Sequence, residues 1–351
     1  MIESCELAPG YRVSRLLKGG WQLSDGHGAS VDREAAIADM VAFADAGITG
    51  FDCADIYTGV EVLIGSFRER YRRRRGAEAL ASLKVHTKFV PDWSLLGRVD
   101  RRYVESIIDR SRQRLGQERL DLVQFHWWNY DAPGMVETAA WLAGLQRDGR
   151  IDQLGGTNFD TARTAILLDA GVRLTSMQVQ YSLLDARPEN GLVALAQQRG
   201  MQLICYGALA GGFIGERWLG AAEPRGPFDN RSLVKYKLII DDFGGWDLFQ
   251  ALLSTLQAIA ARHDVGIGAV ALRHILDQPQ AACVIVGARS ARHLAATLAA
   301  ERLRLDADDQ RKIAAILAER RGPGGDTFEL ERDRGGRHGA IMKYDLNAVP
   351  A

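Results

Sequence analysis

Four side chains in the N-terminal part of the sequence have the chemistry to deliver a proton. An acid, Asp52, follows the apolar run that ends at Phe51, and a phenol, Tyr57, comes five residues later. Lys88 and His126 each follow a further apolar run. A free phenol, with a pKa of about 10, is a weak acid at neutral pH, and a neighbouring ammonium lowers that pKa. A carboxylate would hold the ammonium and an imidazole would orient a carbonyl oxygen, so the four residues predict a general-acid site.

Each of these residues has an ordinary alternative role when it is considered alone. Asp52 could cap a turn, and Tyr57 could lie at the rim of the core. Lys88 could be solvated, and His126 could be a hydrogen-bonded core histidine. Their occurrence near the ends of three successive predicted strands favours one shared site.

The elements that must position these groups alternate between short apolar strands and helices. Strand ends fall near residues 20, 52, 88, 126, 158, 180, 206 and 286, and a helical pattern follows each. Eight such units predict a parallel sheet closed into an α/β (β/α)8 TIM barrel, in which the C-terminal strand ends converge. An open doubly wound sheet is the alternative, but the first strand-to-helix turn, residues 19–23, lacks its G-x-G-x-x-G motif.

The spacing also predicts the extent of the domain and its two irregular segments. We expect a single domain over residues 1–351, with the barrel at about 13–320 and an irregular C-terminal tail at 321–351 lying on it. About 80 residues separate the seventh and eighth strands, including residues 211–246. A connection of that length in a compact domain predicts a lid or a binding loop.

Charge and cysteine content exclude several classes of protein. The 44 Lys and Arg residues equal the 44 Asp and Glu residues, which argues against a dedicated nucleic-acid or anionic-membrane protein. No apolar run reaches 18 residues, and residues 1–10 lack the apolar region of a signal peptide, so we expect a cytoplasmic protein. The cysteines have no C-x-x-C spacing, which predicts free thiols without a metal site: Cys5, Cys53, Cys205 and Cys283.

Six blocks of the sequence, between about residues 13 and 300, resemble the aldo-keto reductase family. They lie at residues 51–57, 87–88, 120–127, 155–159, 177–181 and 286–290. The resemblance implies an eight-stranded barrel that carries an N-terminal hairpin at its base and binds a nicotinamide cofactor across its top. By position, Asp52, Tyr57, Lys88 and His126 match the catalytic residues of the family. Tyr57 would then be the acid in carbonyl reduction and the base in the reverse direction, Lys88 held by Asp52 would tune it, and His126 would orient the carbonyl.

The resemblance also implies a set of cofactor contacts. Thr157, Asn158 and Gln178 match positions that hold the nicotinamide carboxamide, and Tyr206 matches the aromatic residue that stacks on the nicotinamide ring. The remaining expected contacts are Gly20, Trp21, Asp52, Gly207, Leu209, Gly211, Gly287, Arg289, Ser290 and His293.

The preferred cofactor depends on the block that ends at Ser290. Arg289 could pair with a 2′-phosphate, which favours NADP(H). The family usually has Glu-Asn about seven residues after that serine, whereas this sequence has Thr297 and Leu298, so NAD(H) remains possible.

The resemblance places a substrate pocket at the top of the barrel. The expected lining is Trp21, His27, Tyr57, His126, Trp127 and Trp128. The predicted function is an NADP(H)-dependent oxidoreductase that interconverts an aldehyde or ketone with its alcohol, without a metal. The sequence gives no indication of the oligomeric state. Two alternatives stay open: a barrel repurposed for non-redox elimination or epimerisation, and a cofactor-binding regulatory subunit.

Overall fold

A computed structural model of the protein describes residues 2–28 and 30–347. Residue 1, part of the segment assessed for a signal peptide, and residues 348–351 of the predicted tail lie outside the described residues. The chain begins with an antiparallel hairpin of β1 (Ser4–Ala8) and β2 (Tyr11–Ser14). Its turn contains Gly10 at φ +76°, a conformation that glycine adopts without strain. Tyr11 belongs to one buried cluster with Leu17, Leu122 and Ile204 of the barrel strands, so the hairpin closes the barrel's base, as expected.

The next eight strands form a closed parallel barrel, which confirms the predicted fold class. The neighbours run in sequence order around the barrel, and the last strand pairs with the first. The strands are β3 (Leu16–Gly19), β4 (Gly50–Asp52), β5 (Lys84–Phe89), β6 (Leu120–Phe125), β7 (Ile151–Thr157), β8 (Ser176–Gln180), β9 (Gln202–Tyr206) and β10 (Ala281–Gly287).

Helices follow the strands, and most of them cover the outside of the barrel and bury apolar faces against it. They are α1 (Arg33–Asp45), α2 (Val60–Ala81), α3 (Arg101–Leu115), α4 (Met135–Arg147), α5 (Thr161–Asp169), α6 (Leu192–Arg199), α7 (Arg231–Phe243), α8 (Trp246–Arg262), α9 (Ile267–Leu276), α10 (Leu294–Arg302), α11 (Ala307–Leu317) and the short α12 (Glu329–Arg332). Among the described residues, none of these helices is both long and apolar enough to cross a membrane.

Local chemistry explains why predicted helix limits agree with the structure. Helix α3 begins after Asp100, whose carboxylate accepts the Tyr103 backbone N–H at 2.8 Å, and ends at Gly116 in the left-handed region. The sequence pattern predicts a helix over Arg101–Leu115 that stops at Gly116, and the structure confirms these limits. The sequence pattern also predicts a helix over 60–75, and Gly76, at φ +90°, interrupts α2 directly after it, before a short helical segment that continues to Ala81.

The long connection between β9 and β10 contains a helix that we did not predict within residues 211–246. Helix α7 buries Tyr236, Ile239, Ile240 and Phe243, which repeat at a spacing of three or four residues. The glycines and prolines that precede α7 obscure this pattern in the sequence. The helix matters for the site because it lies over the glycine-rich turn after β9, where the Tyr236 ring packs against Gly207.

Residues 321–347 pack onto the C-terminal end of the barrel. They are mostly irregular, with α12 and one 3-10 turn at Gly339–Ile341. A buried ion pair attaches this segment, because the Arg187 guanidinium donates to both oxygens of Glu331, at 2.8 and 3.0 Å. Asp185 lies on the same guanidinium at 2.7 Å. Asn347 donates to Asp55 Oδ2 at 2.9 Å, so the segment also reaches the loop after β4.

Candidate active site

A buried ion pair lies at the centre of the barrel's C-terminal end. Asp52 is the last residue of β4, and Lys88 lies one residue before the end of β5. Lys88 Nζ is 2.8 Å from Asp52 Oδ2 and also donates to the Cys53 carbonyl at 2.8 Å. Burial opposes a charge on Lys88, but Asp52 outweighs it and raises the pKa of the ammonium above its usual value. Lys88 is therefore a fixed positive charge at neutral pH.

Two glutamines from other strands complete the surroundings of Asp52. Gln124 Nε2 on β6 donates to Asp52 Oδ1 at 3.1 Å, and Gln178 Nε2 on β8 donates to the same oxygen at 2.6 Å. Gln178 Nε2 also donates to Gln124 Oε1 at 3.0 Å. The amide nitrogen of Gln178 is thus occupied, and its oxygen is the atom that it can offer to a ligand. Gln124 was not predicted; its signal is a lone amide in the apolar strand 120–125.

Tyr57 lies beside this pair in the loop after β4. Lys88 Nζ is 5.0 Å from the centre of the Tyr57 ring, and the Trp21 ring is 4.9 Å away on another side. We expected the ammonium to lower the pKa of Tyr57. Burial instead raises the pKa of the phenol, and the opposing effect of Lys88 does not fully offset it. Tyr57 is therefore protonated at neutral pH, which suits an acid.

His126 follows β6 and is fully buried. Its Nδ1 lies 2.9 Å from the Thr157 carbonyl oxygen, which can only accept, so Nδ1 carries the proton. Burial, with a smaller effect from the Arg332 cation, lowers the pKa of His126 to about 3. The ring is neutral, and Nε2 has no protein partner among the described residues. In this tautomer Nε2 accepts a hydrogen bond, so it suits a hydroxyl rather than the bare carbonyl oxygen that we predicted it to orient.

A cavity of about 820 Å³ extends from these groups across the top of the barrel. Most of the residues predicted for the catalytic, cofactor and substrate sites line it. They are Trp21, Asp52, Tyr57, Lys88, His126, Trp128, Thr157, Asn158, Gln178, Tyr206, Gly207, Leu209, Gly211, Gly287, Arg289, Ser290 and His293.

Three predicted residues lie outside the lining of this cavity. Gly20 has no room for a side chain, because a Cβ there would lie 2.8 Å from the Asp52 carbonyl oxygen and 2.8 Å from Val60 Cγ1. The indole of Trp127 is fully buried behind the cavity wall, where Nε1 donates to the Ala132 carbonyl at 3.2 Å. His27 supports the wall from behind, with its ring 4.7 Å from that of Trp21.

The residues expected to hold a nicotinamide present suitable groups to the cavity. Thr157 Oγ1 is buried without a hydrogen-bond partner among the described residues. Asn158 accepts the Tyr206 hydroxyl at 2.9 Å through Oδ1, which leaves its amide N–H groups as donors. A carboxamide offers both donors and acceptors, so Thr157, Asn158 and the Gln178 oxygen fit it. The cavity also presents Tyr206, whose flat ring suits stacking.

The glycine-rich turn after β9 lies close under helix α7. Gly207 has φ +82°, and a Cβ there would lie 2.6 Å from the Tyr236 hydroxyl. Gly211 has φ +64°, and a Cβ there would lie 2.8 Å from the Tyr236 ring. Both positions require glycine because of their conformation and because of this close approach. Such a turn lets backbone N–H groups approach phosphate oxygens.

The far end of the cavity is formed by the loop after β10. Arg289 Nη2 donates to the Ser30 carbonyl at 3.1 Å, so its guanidinium connects this loop to the loop that follows β3. Arg292 and His293 lie beside Ser290 in the lining. Thr297, where the family usually has an acid, is buried and also lines the cavity. The Arg289 and Arg292 cations fit a phosphate-bearing group at this end.

The C-terminal segment and α7 supply functional residues that sequence reasoning missed. Arg332 donates to the carbonyls of Trp128 and Asn158, each at 2.7 Å, and lies 3.8 Å from the centre of the Tyr130 ring. It thereby fixes the loops that follow β6 and β7. The Phe328 ring lies 5.7 Å from the His126 ring, and Lys235 from α7 also lines the cavity.

Comparison with known proteins identifies relatives over a large part of the chain. The chain is 25% identical to the aldo-keto reductase YhdN of Bacillus subtilis, over 88% of this chain and 91% of that protein. It is 27% identical to the NADH-specific methylglyoxal reductase of Escherichia coli, over 87% of this chain and 96% of that protein. A 28% match to flagellar radial spoke protein 5 of Chlamydomonas reinhardtii spans 64% of this chain and about half (49%) of that protein.

A solved structure and a family model complete the comparison. The glycerol dehydrogenase AKR11B4 from Gluconobacter oxydans superimposes with a TM-score of 0.72 at 22% identity, over 90% of this chain and 94% of that one, so the two proteins share a fold. The family model described as "Aldo/keto reductase family" matches residues 15–318. The protein therefore belongs to the aldo/keto reductase family of oxidoreductases.

Proposed function

We propose that the protein is an NADP(H)-dependent oxidoreductase that interconverts a small aldehyde or ketone with its alcohol. The observation that carries this proposal is the buried Lys88–Asp52 pair beside Tyr57 in one cavity with His126. The bound cofactor would supply or accept the hydride. Thr157, Asn158 and Gln178 would hold its carboxamide end.

The roles of the protein's own groups follow from their protonation states. Tyr57 is protonated at neutral pH, so it donates its proton to the carbonyl oxygen during reduction. Lys88 provides the positive charge that stabilises the phenolate left behind, and Asp52 holds Lys88 in place. His126 Nε2 accepts a hydrogen bond from a hydroxyl, either the alcohol itself or a hydroxyl next to the carbonyl.

The cofactor preference is proposed from the charges at the far end of the cavity. Arg289 and Arg292 suit the 2′-phosphate of NADP(H), which carries about two negative charges. A relative named for NADH specificity makes NAD(H) the competing possibility.

The test is a titration of the purified protein with NADPH and NADH, followed by assays with aldehydes, ketones and alcohols. We expect NADPH fluorescence to change on binding and NADPH to be consumed with at least one carbonyl compound. Tyr57→Phe should bind NADPH as well as wild type and lose at least about a thousandfold in turnover. Undiminished turnover of that variant would refute Tyr57 as the acid. Absence of binding to either cofactor would favour a non-redox function.

A further inference from the structure

The cavity is strongly positive although the chain as a whole has no net charge. Seven Lys and Arg side chains line it, against the two carboxylates of Asp52 and Glu216. Asp52 is already paired with Lys88, and Glu216 accepts the backbone N–H of Ile267 at 2.7 Å. Arg289 and Arg292 lie at the far end, where a phosphate-bearing cofactor group would be. Lys235, another of the seven, contacts Phe328, which in turn contacts His126 of the reaction centre.

Lys235 projects from α7 into a wall of aromatic rings. Its Nζ is 5.1 Å from the centre of the Tyr206 ring, 5.6 Å from that of Phe328 and 5.8 Å from that of Tyr236. Phe328 in turn contacts His126 edge to face at 5.7 Å between ring centres. Phe328 is therefore in contact with both the ammonium and the imidazole.

Lys235 Nζ has spare hydrogen-bond donors, and burial lowers its pKa against the opposing effect of the Glu331 carboxylate. Its nearest carboxylate oxygen, Glu331 Oε1, is 3.6 Å away, and both Glu331 oxygens already accept from Arg187. The Lys235 side chain is 15% exposed and lines the cavity, so its spare donors are available to a ligand bound there. An ammonium carries three N–H donors, and a ring face cannot replace an oxygen acceptor. The site therefore calls for an oxygen-bearing group in the cavity.

We propose that Lys235 forms an oxyanion subsite beside the reaction centre, and that the physiological carbonyl substrate carries a carboxylate or phosphate group. This proposal rests on the proposed function, because it assigns the substrate class of the same site. The anionic group would bind Lys235 while the carbonyl faces Tyr57. Glu331 holds the ammonium in place and is itself held by Arg187, so the subsite is fixed before the substrate arrives.

The test compares carbonyl substrates that differ in charge. Succinic semialdehyde is paired with butanal, and glyceraldehyde 3-phosphate with glyceraldehyde, at saturating NADPH. We expect wild type to prefer at least one charged substrate by tenfold or more in kcat/KM, and the preferred pair distinguishes carboxylate from phosphate. Lys235→Met should lower that ratio at least tenfold, mainly through KM, and Lys235→Arg should keep most of it. Equal ratios in wild type and Lys235→Met would overturn the subsite.

Lys237→Met is the matched control on the same helix. Lys237 pairs with Glu223 at 2.7 Å and with Asp241, and it does not line the cavity, so its substitution should leave the charged-to-neutral ratio unchanged. A second measurement separates the two proposals. If no carbonyl compound is reduced, the proposed function fails, and calorimetric titration with succinate and with inorganic phosphate decides the subsite. Binding that Lys235→Met weakens at least tenfold supports the subsite, and binding that it leaves unchanged refutes it.

Discussion

Lys88 Nζ lies 2.8 Å from Asp52 Oδ2, and each side chain has no more than 6% of its surface exposed. The pair joins the ends of two neighbouring strands of the barrel. A buried ion pair of this kind contributes little net stability, but removal of one partner leaves the other charge buried and uncompensated, which is strongly destabilising. The arrangement positions a permanent ammonium beside Tyr57 at an expense in stability that an apolar pair would avoid.

Lys88→Met should therefore destabilise the fold as well as abolish turnover. We expect the free energy of unfolding in urea to fall by about 3–5 kcal/mol, because Asp52 stays buried without its cation. The double variant Asp52→Leu/Lys88→Met should be more stable than Lys88→Met alone. If the single variant were as stable as wild type, the pair would be more hydrated than its burial indicates.

The raised pKa of Tyr57 predicts different pH profiles for the two reaction directions. Reduction needs the protonated phenol, so its kcat should stay constant from pH 6 to 9. Oxidation needs the phenolate, so its kcat should rise about tenfold per pH unit over the same range. The measurement is kcat against pH at saturating cofactor in both directions. A reductive kcat that declines between pH 7 and 9 would contradict the raised pKa.

Arg289 provides a test of cofactor preference. Arg289→Ala removes a cation from the far end of the cavity and also the contact with the Ser30 carbonyl. We expect the Kd for NADPH to rise about tenfold or more, as for a lost charge-assisted phosphate contact, with a change of less than about threefold for NADH. Fluorescence titration measures both. Arg12→Ala, on the hairpin at the opposite end of the barrel, is the control and should change neither Kd.

Histidines whose pKa is lowered by burial should make the protein sensitive to acid. Burial lowers the pKa of His86 to about 4, that of His126 to about 3 and that of His274 to about 4. In the unfolded chain each takes up a proton at about pH 6.5, so the unfolded state binds more protons as the pH falls below that value. Their contribution to stability is complete above pH 6.5 and is lost on acidification.

A substitution of His86 isolates one of these contributions. Both ring nitrogens of His86 lack a hydrogen-bond partner among the described residues, so His86→Leu removes a titrating group without breaking a hydrogen bond. Between pH 6 and 5 the free energy of unfolding of wild type should fall more steeply than that of the variant, by about 1.4 kcal/mol per pH unit. Urea titrations at both pH values measure the difference. Parallel pH dependences would mean that His86 is hydrated in the folded protein.

The sequence predicts that four residues share one site, because their positions depend on local patterns: Asp52, Tyr57, Lys88 and His126. Apolar strands of regular spacing end at or beside Asp52, Lys88 and His126, and a parallel barrel brings strand ends together. No such pattern shows which of the two adjacent tryptophans faces the cavity. Trp127 and Trp128 face opposite sides, because consecutive side chains of an extended segment alternate, and Trp128 alone lines the cavity.

The remaining parts of the site depend on long-range pairing that no local pattern encodes. Arg187 and Glu331 are far apart in the sequence, and each by itself looks like an ordinary surface residue. Lys235 becomes relevant only once α7 lies beside Tyr206 and Phe328. The tautomer of His126 likewise depends on the Thr157 carbonyl oxygen, which lies 2.9 Å from Nδ1 only in the folded barrel.

The position of Phe328 and Arg332 after the last barrel strand has a consequence for the order in which the site is assembled. All eight barrel strands have been synthesised once Gly287 is complete, so the barrel and the residues expected to bind a cofactor can form while the ribosome is still translating residues 328–347. Phe328 and Arg332 follow the eighth strand in the chain and complete the wall around His126. Synthesis of the barrel strands therefore precedes synthesis of this part of the cavity wall.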